Sequence, residues 1–113
     1  MFTIPSSVQV YVCSEPTDMR KSFDSLASLT AQVLKGDPLS GHLFVFFNRP
    51  RDRAKILFWD RTGYCLYYKR LEQGTFTVPS QTSRLSLPEL VLILEGIDLT
   101  DARRKKRFSL VHA

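Results

Sequence analysis

Residues 41–74, GHLFVFFNRPRDRAKILFWDRTGYCLYYKRLEQG, limit the folds open to this chain more than any other stretch. Three aromatic-rich runs (residues 43–47, 56–59 and 64–68) are joined by two short polar turns. Runs of this length and residue type settle as paired strands of a sheet buried on at least one face. The first turn, Arg49-Pro50-Arg51-Asp52-Arg53, is too charged to be buried and must project from the end of the sheet. The second, Asp60-Arg61-Thr62-Gly63, offers Gly63 for a positive φ.

The rest of the chain supplies a cover for that sheet. Residues 8–13 read as a first strand, whose neighbour the sequence leaves open. Thr17 or Asp18 is placed to cap a helix carrying Met19, Phe23, Leu26, Ala27, Thr30, Val33 and Leu34 at spacings of three and four. Gly36 is the expected stop, with Asp37-Pro38 beyond it. Residues 75–78 read as a short strand, residues 80–84 as loop, and residues 88–95 as a second helix with Pro88 in its first turn and Gly96 as its end. The predicted fold is α+β, an antiparallel β-meander sheet of three to five strands packed against one or two helices. At 113 residues a single domain is expected, spanning 1–101 and followed by a basic tail, 102–113.

Charge is distributed unevenly. The net charge is +5, yet residues 49–70 hold seven basic side chains (Arg49, Arg51, Arg53, Lys55, Arg61, Lys69, Arg70) against Asp52 and Asp60. Arg103, Arg104, Lys105, Lys106 and Arg107 form an unbroken run, so these two segments carry ten net positive charges and the remainder is net negative by five. Such polarity suits an anionic partner, and nucleic-acid backbones are the most abundant polyanions. In an antiparallel hairpin, Lys69 and Arg70 return to the end from which Arg49, Arg51 and Arg53 project, with Lys55 on the strand between. Guanidinium groups gathered there match phosphate geometry. The alternative is a solvated turn that keeps a hydrophobic hairpin from aggregating. Arg20 and Lys21, read as lying in the first turn of helix one, oppose the helix dipole. They are expected either to share an anion with the helix amides or to pair with Asp24. The run from Arg103 to Arg107 reads as a polyanion-binding tail.

Catalytic chemistry finds no support. The acids fall at caps and turns (Asp18, Asp37, Asp60), and Cys13, His42 and Cys65 lack a compact ligand spacing. No catalytic residue, metal or cofactor is expected, and the protein is not expected to be an enzyme. Sheet packing explains the aromatics more simply than base stacking does. No apolar run reaches membrane-spanning length, no secretory signal is legible at the N-terminus, and the two cysteines read as reduced; the expected location is cytoplasmic.

Four blocks carry a resemblance: Asp18-Met19-Arg20-Lys21-Ser22-Phe23-Asp24, residues 40–46 (SGHLFVF), residues 55–60 (KILFWD) and residues 68–76 (YKRLEQGTF). In this order the chain resembles the TnpB accessory proteins of insertion-sequence-66-type elements, distinct from the RNA-guided nuclease of the same name. The resemblance covers about residues 8–96. It departs from the family at Val78, where tryptophan is common, at Ser25, where glycine is common, and at Pro50, which interrupts the arginine turn. It implies a bacterial, non-enzymatic accessory protein needed for DNA transposition and encoded beside a separate transposase. The expected partners are element DNA and that transposase, with protein–protein docking on the transposase as the alternative to direct DNA contact. The resemblance brings no catalytic residues with it.

Overall fold

The computed structural model describes Pro5 and residues 7–96. The strands are β1 (Val10–Val12), β2 (Leu43–Phe47), β3 (Arg53–Asp60), β4 (Gly63–Arg70) and β5 (Ser83–Leu85). The helices are α1 (Phe23–Gln32) and α2 (Leu87–Leu94). One open five-stranded sheet runs in the order β4-β3-β2-β1-β5. The α+β expectation holds, with the meander β2-β3-β4 antiparallel throughout. The sheet is mixed, however: β1 lies parallel to β2, with Val10 opposite Leu43 and Val12 opposite Val45. A parallel pair needs a crossover, and α1 supplies it.

Every residue of β2 is buried. A central strand covered on both faces loses the alternation of a half-exposed one. On one face Leu43, Val45 and Phe47 join Val10, Val12, Ala54 and Ile56 beneath Leu90 and Ile93 of α2 and Phe76. On the other, Phe44, Phe46 and Leu57 pack against Leu26 of α1. Each such apolar side chain contributes on the order of 1.5–3 kcal/mol by leaving water.

Five points differ from the sequence reading. Asp18 does not cap α1; it closes a turn before the helix, accepting from the Arg20 N–H at 2.9 Å. The N-cap is Ser22, whose N–H donates to Ser25 Oγ at 2.9 Å. At the other end of α1, Lys35 takes the left-handed conformation with φ 54°, not Gly36. Gly36 serves close approach instead: a Cβ there would lie 2.7 Å from Phe44 Cε1. In the β3–β4 turn the positive φ falls on Arg61, at 55°, and Gly63 begins β4. Residues 75–78 form no strand, whereas β5 begins inside the segment read as loop and runs to Leu85, antiparallel to β1 through Val10–Leu85 and Val12–Ser83. The second helix stands as read, with a capping box: Ser86 Oγ accepts from Glu89 N at 3.3 Å and Glu89 Oε1 accepts from Ser86 N at 3.2 Å.

Lys55 is the buried cation of the sheet, 6% exposed. It pairs with Phe46 and Tyr68 on the face that α1 covers. Its Nζ donates to the carbonyls of Met19 and Lys21, both at 2.7 Å, and sits 4.6 Å from the centroid of the Tyr68 ring. The loop ahead of α1 is thereby tied to the sheet.

Three substitutions test this account. Gly36→Ala should destabilise the fold by about 1–3 kcal/mol in denaturant titrations, because Phe44 is walled in. Gly63→Ala, with nothing within 4 Å of the added Cβ, should change stability by less than about 0.5 kcal/mol. Lys55→Met keeps the apolar stem but strands two carbonyls. It should lower stability by about 1–3 kcal/mol and speed amide exchange at Lys21 and Leu26. Unchanged exchange at both amides would remove Lys55 from its role as the tie.

Candidate nucleic-acid interface

The β2–β3 connection is organised by Asn48. Its Oδ1 accepts from the N–H groups of Asp52 and Arg53, at 3.1 and 3.0 Å, and its Nδ2 donates to Asp52 Oδ1 at 2.7 Å. Its backbone closes the turn, donating to Arg53 O and accepting from Arg51 N, both at 3.2 Å. Arg51 occupies a left-handed conformation, φ 63°, which residues with a Cβ seldom adopt. The surrounding structure holds it there. Residues 71–76 cross the turn as a strap: Leu71 N donates to Asp52 O at 2.8 Å and Phe76 N to Arg51 O at 2.6 Å. The strap is itself anchored, because the Phe76 ring packs 5.6 Å from that of Phe47 in the core. The arginines therefore project from fixed backbone.

Arg53 and Arg70 stand directly opposite each other on β3 and β4. Like charges in that relation are unfavourable unless something answers them. Arg53 Nη1 donates to Tyr68 Oη at 3.1 Å, and Arg70 forms an exposed ion pair with Glu72 at 2.9 Å. A cleft of about 480 Å³ opens beside them, lined by Arg49 and Arg53 on one wall and Pro16 to Met19 on the other. Asp18 on that second wall is held by Arg20, whose Nη2 reaches Asp18 Oδ2 at 2.6 Å. Hydrogen bonds from the Arg20 guanidinium, then from its backbone N–H, pull the Asp18 carboxyl down to about 2.

The predicted cations divide into distinct groups. Arg49, Arg53 and Arg70 gather at one end of the α1 face, with the Arg20–Asp18 pair across the cleft. Lys21 is in the same loop, its carbonyl engaged by Lys55. Arg51 is exposed on the turn itself. Lys69 is opposite Ala54 and so belongs to the other sheet face, next to the turn but away from the cleft. Lys55 does not join the surface group, since its nitrogen is consumed inside the fold. Arg20 and Lys21 precede the N-cap, so no dipole conflict arises in the first turn, and Arg20 pairs with Asp18 rather than Asp24. Arg61 is at the far end of β3. Arg103, Arg104, Lys105, Lys106 and Arg107 lie outside the described residues.

Among the described residues, the ion pairs at this end are Arg20–Asp18 and Arg70–Glu72. Arg49, Arg51, Arg53 and Lys69 have no carboxylate partner there, and Asp52 is engaged by Asn48. The residues the sequence reading overlooked are Asn48 and the strap. An asparagine heading a turn, able to bond its own backbone a few residues on, was the available signal for the first. Among the described residues no three His, Cys, Asp or Glu side chains converge as metal ligands. Nor is any helix there long and apolar enough to cross a membrane.

No solved structure matches this chain. The uncharacterized protein y4hO of Sinorhizobium fredii is 41% identical over 95 residues, covering 81% of this chain and 83% of its own length. A second protein of that organism, the uncharacterized y4jC, is 33% identical over 101 residues, 87% of this chain and 86% of its own. The family profile described as "IS66 Orf2 like protein" matches residues 8–104, which include β1 to α2 and the whole arginine turn. The chain belongs to the IS66 Orf2-like family, and that membership associates it with transposition of this class of insertion sequence.

Proposed function

We propose that this protein is a non-enzymatic accessory factor of transposition that binds the DNA backbone through the end of its sheet, with Arg49, Arg53 and Arg70 as the principal contacts. Arg51, Lys69, Arg20 and Lys21 flank that surface, and the run from Arg103 to Arg107 adds sequence-independent attraction. One observation carries this reading. The strapped turn holds Arg49 and Arg53 on a cleft wall without carboxylate partners, opposite a third arginine on the neighbouring strand. A polyanion relieves the Arg53–Arg70 repulsion and gains bidentate donors whose backbone is already ordered. Element DNA is the polyanion that a transposition protein encounters.

Fluorescence anisotropy with labelled duplex DNA across a salt series tests it. Each phosphate contact contributes a slope of about −0.9 in log affinity against log salt. The double variant Arg49→Ala/Arg53→Ala should reduce the slope by roughly two and weaken binding across all sequences. Arg61→Ala, at the opposite end of β3, should leave the slope nearly unchanged. Binding that ignores salt, or whose affinity and salt slope are unchanged by the double substitution, defeats the proposal. Retention of the element's transposase by the double variant after nuclease treatment would favour an adaptor instead.

Asp18 gives a second handle. With its carboxyl at about 2, it stays ionised throughout the range from pH 7 to 5. Its depressed value means the pair's contribution to stability is present above the unfolded carboxyl's value and lost only as pH falls through about 2. Affinity should therefore show no Asp18-dependent change between pH 5 and 7. Asp18→Asn frees the Arg20 guanidinium and should tighten DNA binding several-fold at pH 7, steepening the salt slope by about one. Weaker binding by this variant would place Asp18 among the contacts.

A further inference from the structure

We propose that the outer edge of β4 is the docking site for a second copy of this chain, pairing β4 with β4 antiparallel about Leu66. The sheet ends at β4, which is eight residues long and has no strand on its outer side among the described residues. The opposite edge, β5, is short and carries Arg84. Charge and brevity are how folds blunt an edge against pairing. β4 lacks both protections over Gly63 to Tyr68, a stretch with no charge and no proline, while Tyr67 and Tyr68 are 45% and 47% exposed. Beneath it an apolar groove of about 490 Å³ separates α2 from the sheet, lined by Phe58, Cys65, Tyr67, Leu90, Val91 and Leu94. Val91, on α2, is 51% exposed at this groove.

The β4 sequence is self-complementary about Leu66, and its charges set the direction of pairing. Both cations of β4, Lys69 and Arg70, lie at one end. Parallel self-pairing would set Lys69 and Arg70 against their own counterparts, which is unfavourable. Antiparallel pairing about Leu66 sets Tyr64 against the second copy's Tyr68, Cys65 against its Tyr67 and Gly63 against its Lys69. Each cation thus meets a neutral residue, and two aromatic pairs form. A two-fold axis normal to the sheet keeps the faces in common, so the two grooves meet along the Cys65–Tyr67 seam. The resulting ten-stranded sheet displays both Arg70 side chains on one face, roughly 27 Å apart along the strands at ~3.4 Å per residue. That spacing is shorter than the ~34 Å of one duplex turn, and the pairing itself does not depend on DNA binding.

Sedimentation equilibrium of the full chain, without nucleic acid and up to about 100 µM, should return twice the 13.0 kDa chain mass. Tyr67→Cys should form an intermolecular disulfide with native Cys65 under mild oxidation, since directly opposed residues have Cα atoms about 4.5–5.5 Å apart. Peptide mapping should find the 65–67 linkage, and Cys65→Ser in the same background should abolish it. Tyr67→Lys should raise the dimer dissociation constant by about tenfold or more while leaving the far-ultraviolet circular dichroism spectrum of the folded protein near wild type, because Tyr67 is half-exposed. A monomer at every concentration overturns the proposal, as does a dimer that lacks the 65–67 crosslink. A chain that is monomeric alone, but whose Cys65 is protected from alkylation by added transposase, assigns the edge to that partner and likewise overturns it.

Discussion

The structure depends on a strand with no polar side. Leu43, Phe44, Val45, Phe46 and Phe47 are all buried, so β2 must be flanked by strands and roofed on both faces. That requirement places α1 over Phe44 and Phe46, and α2 with Phe76 over Leu43, Val45 and Phe47. It also makes the arginine turn a continuation of the core. Phe47 ends β2, Asn48 opens the turn, and Phe76 both packs on Phe47 and donates its N–H to Arg51. Loosening the core at Phe47 would therefore loosen the cationic surface without touching an arginine.

Lys55 extends this link to electrostatics. A buried ammonium is usually met by a carboxylate, and the local charge then cancels. Here two carbonyls and an aromatic face satisfy it. The positive charge therefore remains, close to Tyr68, which in turn accepts from Arg53. Where the fold does place acids nearby, it uses them structurally. Asp52 is held by Asn48, and Asp18 closes the turn ahead of α1 while engaging Arg20.

The meander and both helices were legible in the sequence because hydrophobic period and turn residues agree there. β5 was not: Ser83-Arg84-Leu85 has no distinctive pattern, and it becomes a strand by pairing with β1 some seventy residues earlier. The start of α1 was misplaced because Asp18 and Ser22 are both competent caps, and the Asx turn at Asp18 captured the first. Lys55 looked like a surface cation, yet strand alternation already set it on the side of Leu57, which α1 covers. Alternation likewise separates Lys69 from Arg70, as neighbours on a strand must face opposite ways. The convergence of Arg49, Arg53 and Arg70 followed from hairpin geometry, whereas the rigidity of the turn rests on a backbone strap that no residue pattern announces.

Rigidity decides what such a surface can do. An arginine on a mobile segment must lose its freedom at the moment of contact, which offsets much of the electrostatic gain. Arg53 is already oriented by the Tyr68 hydroxyl, and Arg49 and Arg51 project from a turn whose carbonyls and amides are tied down. Arg20 is different, being poised rather than free. Its partner Asp18 is an exposed carboxylate, and exposed pairs contribute little to stability. If the surface binds DNA as proposed, a phosphate entering the cleft between Arg49 and Asp18 would compete for that guanidinium at small expense to the fold. The cleft would then combine fixed cations, suited to a closely spaced run of negative charge, with one exchangeable cation able to adjust to where the phosphates fall.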